Sequence, residues 1–277
     1  MNRTLMAYML AAIISFSAVA TITMQPISLR AQTQQAVPQL QAQQASQEPL
    51  AVSPSCGQVI TQNVVLTSNL KCADSDGLIV GASDIVIDLN GHTITGPNSD
   101  RNIKTSSKVG ISVPNMNNVV IKDGTIEEFQ AGILMTGSQN VEVSGIVSKG
   151  NQIGLFNTGA GLINIHLSII MDNQIGIAGH STQQSTIEDN IIFQNALAGI
   201  TLVNSDNSII TVNSITKSGN GIYIDNQSTE NNINFNNVLL NTIDINNANG
   251  LPVNTNVNTY DQNNCMTSNP SGICIGK

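Results

Sequence analysis

A short phrase built around glycine recurs along the chain at an almost constant interval, and this repeat constrains the fold more than any other feature. The marker glycines lie 22, 22, 22, 23 and 22 residues apart, and each precedes Ile or Leu; they are Gly110, Gly132, Gly154, Gly176, Gly199 and Gly221. Asp244, followed by Ile245, takes the equivalent place in the next unit. A unit of this size cannot bury its own apolar face and must stack on neighbouring copies. The repeat therefore predicts a solenoid.

Each unit also contains further short apolar elements, which favour strands over helices. Segments such as "VVIKDG", "VEVSG" and "INIHL" alternate apolar and polar residues, as half-buried strands do, and a third apolar patch follows in each unit. The connecting residues are mostly Asn, Ser, Thr and Gly, which are poor helix formers, and a Leu-rich consensus is absent. We predict an all-β parallel β-helix of about eight coils counted from Gly77, with a period of 22–23 residues.

Stacking of such coils explains why like residues recur. Parallel strands about 4.8 Å apart would place each marker aliphatic residue directly over its equivalent in the coil below. The glycines would serve either corners with positive φ or places of close packing. Asn190 and Asn213 share one position in the repeat, which predicts a corner stack of paired amides, although exposed turn asparagines would give the same pattern. The longer interval from Gly77 to Gly110 predicts a loop over residues 97–108.

The first 55 residues differ from the repeats. Arg3 precedes a long apolar run, and Ala18-Val19-Ala20 has the small-x-small pattern of a signal-peptidase site. This pattern predicts a signal peptide over residues 1–20, and an uncleaved membrane anchor is the alternative because the run could just span a bilayer. The Gln-rich stretch 21–55 has the composition of a flexible linker.

The folded part is expected to comprise a β-helix with an N-terminal cap over 56–264 and a C-terminal tail over 265–277. Cysteines occur only near its two ends, as Cys56, Cys72, Cys265 and Cys274. An even number in an exported protein suggests disulfides, and the local pairings are Cys56 with Cys72 and Cys265 with Cys274, although three connectivities stay open. A metal site is disfavoured because no C-x-x-C and no neighbouring His accompany either pair.

Charge composition excludes one class of partner. Only 10% of the residues are charged, the formal net charge is −8, and the ten Lys and Arg residues are scattered. No basic patch is present that could neutralise a phosphate backbone. We therefore expect no nucleic-acid partner, and contact with a membrane only through the N-terminal segment.

The stretch from Cys56 to Gly96, above all "IDLNGHTITG", resembles the opening of secreted parallel β-helix proteins of the pectin-lyase-like superfamily with NosD-type or CASH-type repeats. The resemblance covers about residues 56–250 and implies a right-handed coil whose first turn is closed by the Cys56 and Cys72 region. That superfamily includes lyases, hydrolases, epimerases, adhesins and proteins without known activity, so fold does not fix function. Some NosD-like proteins are described as copper-binding, but His92, His166 and His180 are dispersed here, and we do not transfer the metal.

The candidate catalytic pair comes from positions that should face outward. His166 and Glu188 stand twelve residues after successive marker glycines, so they should lie on neighbouring strands within reach of general acid–base work. Two solvated surface side chains would show the same spacing. The absence of Arg after Arg101 excludes an arginine base on the stacked coils.

Candidate substrate-binding residues fall into two groups. Phe156 and Tyr223 stand two residues after marker glycines, and their outward rings would suit sugar rings. Arg101, Lys104 and Lys108 concentrate positive charge in the loop 97–108, which could meet an acidic glycan or could simply be solvated.

Taken together, these features favour an exported or surface-tethered protein, secreted, periplasmic or on the cell surface, whose partners are extracellular glycans or cell-surface components. Binding or scaffolding is preferred to catalysis. The alternatives are a polysaccharide lyase, hydrolase or epimerase, and a purely structural surface rod. We predict no metal site and no cofactor, and calcium is the one alternative left open.

Overall fold

The computed structural model describes residues 50–97 and 107–275, which form strands joined by short corners. The predicted signal peptide, most of the predicted linker, and Arg101 and Lys104 lie outside these ranges. The strands are β1 (Leu50–Val52), β2 (Gln58–Ile60), β3 (Val64–Leu66), β4 (Leu70–Lys71), β5 (Leu78–Val80), β6 (Val86–Asp88), β7 (Thr93–Thr95), β8 (Val109–Pro114), β9 (Asn117–Glu127), β10 (Ala131–Thr136), β11 (Gln139–Lys149), β12 (Ile153–Thr158), β13 (Asn164–His166), β14 (Ile169–Met171), β15 (Ile175–His180), β16 (Thr186–Glu188), β17 (Ile191–Phe193), β18 (Ala198–Val203), β19 (Ile209–Thr211), β20 (Ser214–Thr216), β21 (Asn220–Ile224), β22 (Asn232–Asn234), β23 (Asn237–Leu239), β24 (Ile243–Asn247), β25 (Thr259–Asp261), β26 (Asn264–Cys265) and β27 (Ser268–Asn269).

The only helical segment in the described ranges is a 3-10 turn at Val253–Thr255. Across residues 50–97 and 107–275, no helix has the length and apolar character needed to cross a membrane.

Parallel strands stack into a β-solenoid, as the repeat predicts. The ten-stranded sheet receives one strand from each coil, in the order β2-β5-β8-β10-β12-β15-β18-β21-β24-β27. The second sheet has 17 strands and supplies two further sides of most coils, for example β13 and β14 in one coil and β16 and β17 in the next. We call the side formed by β14, β17, β20 and β23 the third face.

The solenoid makes about nine turns, one more than expected, because counting from Gly77 leaves out the coil that begins at β2. Strand pairing also reaches beyond the expected boundaries of the β-helix. Strand β1, within the predicted linker, pairs with β3, and β27, within the predicted tail, pairs with β24. The coils thus continue over residues in which the repeat phrase is too degenerate to read.

The interior consists of columns of like aliphatic residues, confirming the expected stacking. The column that follows the markers is in strand register throughout and at most 1% exposed; it comprises Ile111, Ile133, Leu155, Ile177, Ile200, Ile222 and Ile245. Burying a side chain of this size stabilises the fold by roughly 1.5–3 kcal/mol. Successive coils therefore stabilise one another through the same few positions.

The marker glycines serve close packing, and the alternative of positive φ is wrong for them. They lie inside strands of the ten-stranded sheet and are absent from the residues with positive φ. A Cβ on Gly154 or Gly176 would lie only 2.5 Å from the carbonyl oxygen of the next marker glycine, a distance that real Cβ atoms do not adopt. The corners with positive φ are occupied by other glycines, such as Gly145, and by other residue types, including Asn140, Leu167 and Asp189.

The predicted asparagine stack is present and buried. The backbone N–H and the Nδ2 of Asn190 both donate to Oδ1 of Asn213, at 3.1 and 3.0 Å, and Asn213 donates in the same way to Asn236. The Nδ2 of Asn190 also donates to the carbonyl of Ile165 at 2.9 Å. Because the stack supplies acceptors to N–H groups at a buried corner, it replaces hydrogen bonds that water would otherwise make. We call this column the amide ladder.

A second buried column, Asn151, Asn173 and Asn195, is linked in the same way and continues through Ser218 and Asn241 to Asp244. Both carboxylate oxygens of Asp244 accept hydrogen bonds, Oδ1 from Asn241 and Oδ2 from the backbone N–H groups of Met266 and Thr267 at 2.9 and 3.0 Å. Burial raises the pKa of Asp244, but these hydrogen bonds outweigh it and hold the pKa below its ordinary value of 3.8. A charged acceptor therefore ends the column.

Both local disulfides are formed, Cys56 with Cys72 and Cys265 with Cys274, as the spacing favours. They lie at opposite ends of the solenoid, where a coil has a stacked neighbour on one side only. Closing loops of 16 and 9 residues there restricts the unfolded chain and holds the terminal coils in place.

Candidate functional site

The outer face of the ten-stranded sheet carries the two candidate aromatic residues in one column. Strand register aligns Phe156, Ala178, Thr201 and Tyr223 on consecutive strands. Alternation along each strand decides which side chains point outward: Leu155 and Ile222 are fully buried, and the half-buried Phe156 and Tyr223 follow them. The two rings are separated by three strand spacings, about 14 Å along the solenoid axis.

Between the rings the surface is low because small side chains occupy the column. Ala178 is only 7% exposed, and its side chain is a single methyl group. Thr201 completes the row before Tyr223. Phe156 and Tyr223 therefore bound a shallow trough at its two ends, which we call the aromatic trough.

The surroundings of the aromatic trough are nearly free of charge. The strands of this sheet contain a single acidic residue, Asp244, which is buried, and no Lys or Arg. The exposed His180 at the end of β15 is their one other titratable side chain apart from Tyr223. A neutral ligand would thus meet neither repulsion nor an unpaired charge on this face.

The predicted cationic loop adjoins the same sheet, although most of it lies outside the described residues. Lys108 immediately precedes β8, and its carbonyl accepts a hydrogen bond from the backbone N–H of Gln130 in the next coil. This bond fixes the backbone of Lys108 at the edge of the sheet. A role for Arg101, Lys104 and Lys108 in binding acidic glycans stays a prediction.

The predicted catalytic pair lies on neighbouring strands of the second sheet. Register places His166 opposite Glu188, as the spacing requires. However, the hydrogen bond of His166 goes to Glu142 in the preceding coil, with 3.3 Å between Nε2 and Oε1, and no hydrogen bond joins His166 to Glu188. Sequence reasoning missed Glu142 because the contact is diagonal: Glu142 is in register with Asn164, two residues before His166.

Other carboxylates do not converge on this pair. Asp206 accepts hydrogen bonds from the N–H and hydroxyl of Thr229, and Asp225 accepts them from Ser228. Both carboxylates fix one corner of the solenoid. The described residues thus present one His–Glu contact on an open surface and no assembled acid–base constellation around it.

Comparison with known proteins gives a family and a fold. The family model described as "Periplasmic copper-binding protein (NosD)" matches residues 56–269. A search of curated proteins found no match.

Solved structures with the same fold are right-handed parallel β-helices. Pectate lyase Pel9A is 11% identical with a TM-score of 0.53, covering 82% of this chain and 72% of its own. A double mutant of the periplasmic alginate epimerase AlgG is 13% identical with a TM-score of 0.51, covering 76% and 70%. The A-module of the Azotobacter vinelandii mannuronan C-5 epimerase AlgE6 is 12% identical with a TM-score of 0.50, covering 83% and 82%. At these identities the likeness shows the fold alone.

The residues of this chain do not fit the copper of the family description. All four cysteines are in disulfides, which removes the thiolates that copper favours. His92 lies beside Asn69, His166 contacts Glu142, and His180 lies on a different sheet. Within residues 50–97 and 107–275, no three His, Cys, Asp or Glu side chains form a group able to hold a metal. Calcium binding stays untested.

Proposed function

We propose that this chain, which belongs to the NosD family, binds polysaccharide outside the cytoplasm along the aromatic trough. The observation that carries the proposal is the in-register column from Phe156 to Tyr223 on an almost uncharged sheet face. The family is described as periplasmic, which supports a location outside the cytoplasm. The signal peptide that would direct export stays a prediction.

The chemistry of the face favours a neutral polymer. Aromatic rings offer flat apolar surfaces that can stack on the C–H faces of sugar rings, and the small residues between them let a chain approach the sheet closely. An acidic polymer would gain no cation from the strands and would be repelled by the net charge of −8. The similar β-helix structures are named for enzymes of alginate and pectate, which supports a polysaccharide ligand in general terms.

Affinity electrophoresis of the full chain in gels containing a neutral β-glucan, xylan, alginate or polygalacturonate tests the proposal. We expect retardation by a neutral polymer and about tenfold weaker binding for Phe156→Ala and for Tyr223→Ala, equivalent to about 1.4 kcal/mol each. Phe193→Ala is the matched control because Phe193 is a half-buried outward ring on a different face, in β17. Equal loss in all three variants, or no retardation in any polymer, would contradict the proposal.

Retardation by acidic polymers alone would instead favour the loop 97–108. In that case Arg101→Gln, Lys104→Gln and Lys108→Gln together should abolish retention, and the ring variants should not. Absence of retention in every gel would favour the purely structural rod.

Catalysis by the His166 cluster is a second candidate. The observation that favours it is the placement of Glu142, His166 and Glu188 on three successive strands, with His166 already in contact with one carboxylate. Incubation of each polymer with the full chain should then release unsaturated or shortened oligosaccharides, or epimerised residues detectable by NMR. Glu188→Gln should lower the rate at least a hundredfold if Glu188 acts as acid or base. Unchanged polymer after long incubation rejects this candidate and leaves binding intact.

A further inference from the structure

The third face carries an exposed apolar surface that neither the aromatic trough nor the His166 cluster uses. Register aligns Val147, Ile169 and Ile191 in one outward column, and Met171 with Phe193 in the next. The adjoining corner adds Leu167, Val212 and Phe235, each directly before a member of the amide ladder's column. We call these eight residues the apolar strip.

Two unfavourable features coincide in the corner part of the apolar strip. Leu167, Val212 and Phe235 are 59%, 52% and 56% exposed. All three also have the left-handed backbone conformation, with φ of 50°, 55° and 53°. That conformation costs an ordinary side chain about 1–2 kcal/mol, and Val is among the residues least suited to it because it is β-branched.

Equivalent corners in other coils hold residues that suit this conformation or water better. Asp123, Gly145, Asp189 and Gln262 stand at the same place in the coil. Nothing in the solenoid therefore requires bulky apolar residues at the corner. Strain combined with apolar exposure is an observation from which a binding role can be inferred.

The size of the apolar strip indicates what covers it. Four side chains are 48–59% exposed, which gives roughly 100 Å² each, and the half-buried neighbours bring the total to the order of 600 Å². Two such strips in contact would remove about 1,200 Å² from water, the lower end of a specific protein interface. A single sugar chain would cover only a fraction of that area.

We propose that the third face is a self-association surface, on which a second copy of this chain packs its own apolar strip. Flat sheet faces with the same strand spacing can pack about 10 Å apart with interdigitating side chains. The charged residues near the strip are Asp189, in the corner column between Leu167 and Val212, Asp172, which follows Met171, and Lys149, which is in register with Met171. Lys149 is already paired with Glu127 at 3.1 Å, which lowers the cost of removing its charge from water.

Sedimentation equilibrium of the full chain tests the proposal. We expect a monomer–dimer equilibrium with a dissociation constant of about 1–100 µM, as an interface of this size permits. Higher NaCl should strengthen it, because each copy carries a net charge of −8 that salt screens.

The double variant Val212→Asn, Phe235→Asn should weaken the dimer at least tenfold without loss of folding, because Asn tolerates the left-handed conformation. Leu162→Asn is the matched control: Leu162 is 50% exposed with φ of 53° at a different corner, and this variant should dimerise like the wild type.

A wild-type chain that stays monomeric at several hundred micromolar overturns the proposal, as does a double variant that dimerises unchanged. If the monomeric wild type is retarded by a polysaccharide and the double variant is not, the apolar strip is a ligand surface and the dimer is rejected.

Discussion

Neighbouring residues at one corner of the solenoid show opposite relations between polarity and burial. Asn190, Asn213 and Asn236 of the amide ladder are at most 1% exposed, whereas Val212 and Phe235, each one position earlier in the chain, are more than half exposed. Backbone geometry explains the inversion. The interior of the corner has N–H groups that need acceptors, and the left-handed residue before each of them turns its side chain outward. At such corners hydrogen-bonding demand decides what is buried.

The largest effect should come from breaking the amide ladder. Asn213→Leu removes the acceptor of the Asn190 N–H and Nδ2 and the donor to the carbonyls of Ile187 and Thr211. Leaving these groups buried and unpaired should lower the free energy of unfolding by roughly 4 kcal/mol. Urea denaturation measures this change. Asn232→Ala, an outward-facing strand position of the same type, should cost less than about 0.5 kcal/mol; similar losses in the two variants would show that the buried amides are not special.

The carboxylate at the end of the second column should have a smaller, pH-dependent effect. Because the pKa of Asp244 is lower in the folded state, its contribution is fully present above its ordinary value of 3.8 and is lost as pH falls through the lower folded value. Asp244→Asn should cost about 2 kcal/mol at neutral pH, since the amide presents N–H groups to backbone donors.

Thermal unfolding between pH 2.5 and 7 measures this effect. The stability of the wild type should decline at acid pH, and the difference between the two proteins should shrink there. A constant difference across the range would mean that ionisation of Asp244 does not stabilise the column.

Replacing an exposed corner residue with positive φ should increase stability. Val212→Asn replaces a β-branched residue with one that tolerates φ of 55°, and should raise the free energy of unfolding by about 1 kcal/mol. Ile209→Asn is the matched control, because Ile209 is also exposed and apolar but lies in strand β19 with ordinary backbone. This control should be neutral or destabilising, since Asn has low strand propensity. Both variants are measured at concentrations at which the chain is monomeric. An equal gain in both would mean that the effect comes from lost apolar exposure and not from backbone strain.

These two kinds of residue also show how far sequence reasoning reaches. The columns of Ile and the buried amide ladder follow from the repeat because stacking carries each position onto its equivalent. The disulfide pairing was favoured only by the short spacing within each pair, which left three connectivities open. The outward orientation of Val212 and Phe235 does not follow from the repeat. An apolar residue beside a corner Asn gives no sign of the left-handed backbone conformation that turns its side chain outward. The Glu142 partner of His166 was missed for a similar reason: the contact joins positions that differ in the repeat. The extra turn, which begins at β2, was not predicted because that coil lacks the 22–23-residue spacing of the later coils.

The smallest effect is expected at an exposed amide pair. It distinguishes the contribution of the amide–amide hydrogen bond itself from the contribution of its burial. Asn264 Nδ2 donates to Asn237 Oδ1 at 2.7 Å on the third face, the same type of bond as in the amide ladder, but at an exposed site. Water can replace either partner there, so Asn264→Ala should change the free energy of unfolding by less than about 0.5 kcal/mol. Measured beside Asn213→Leu under the same conditions, this variant shows what an amide–amide bond contributes when no group is left unsatisfied. A loss of 2 kcal/mol or more at Asn264 would mean that exposed amides also hold the coils together, and the contrast between interior and surface at this corner would fail.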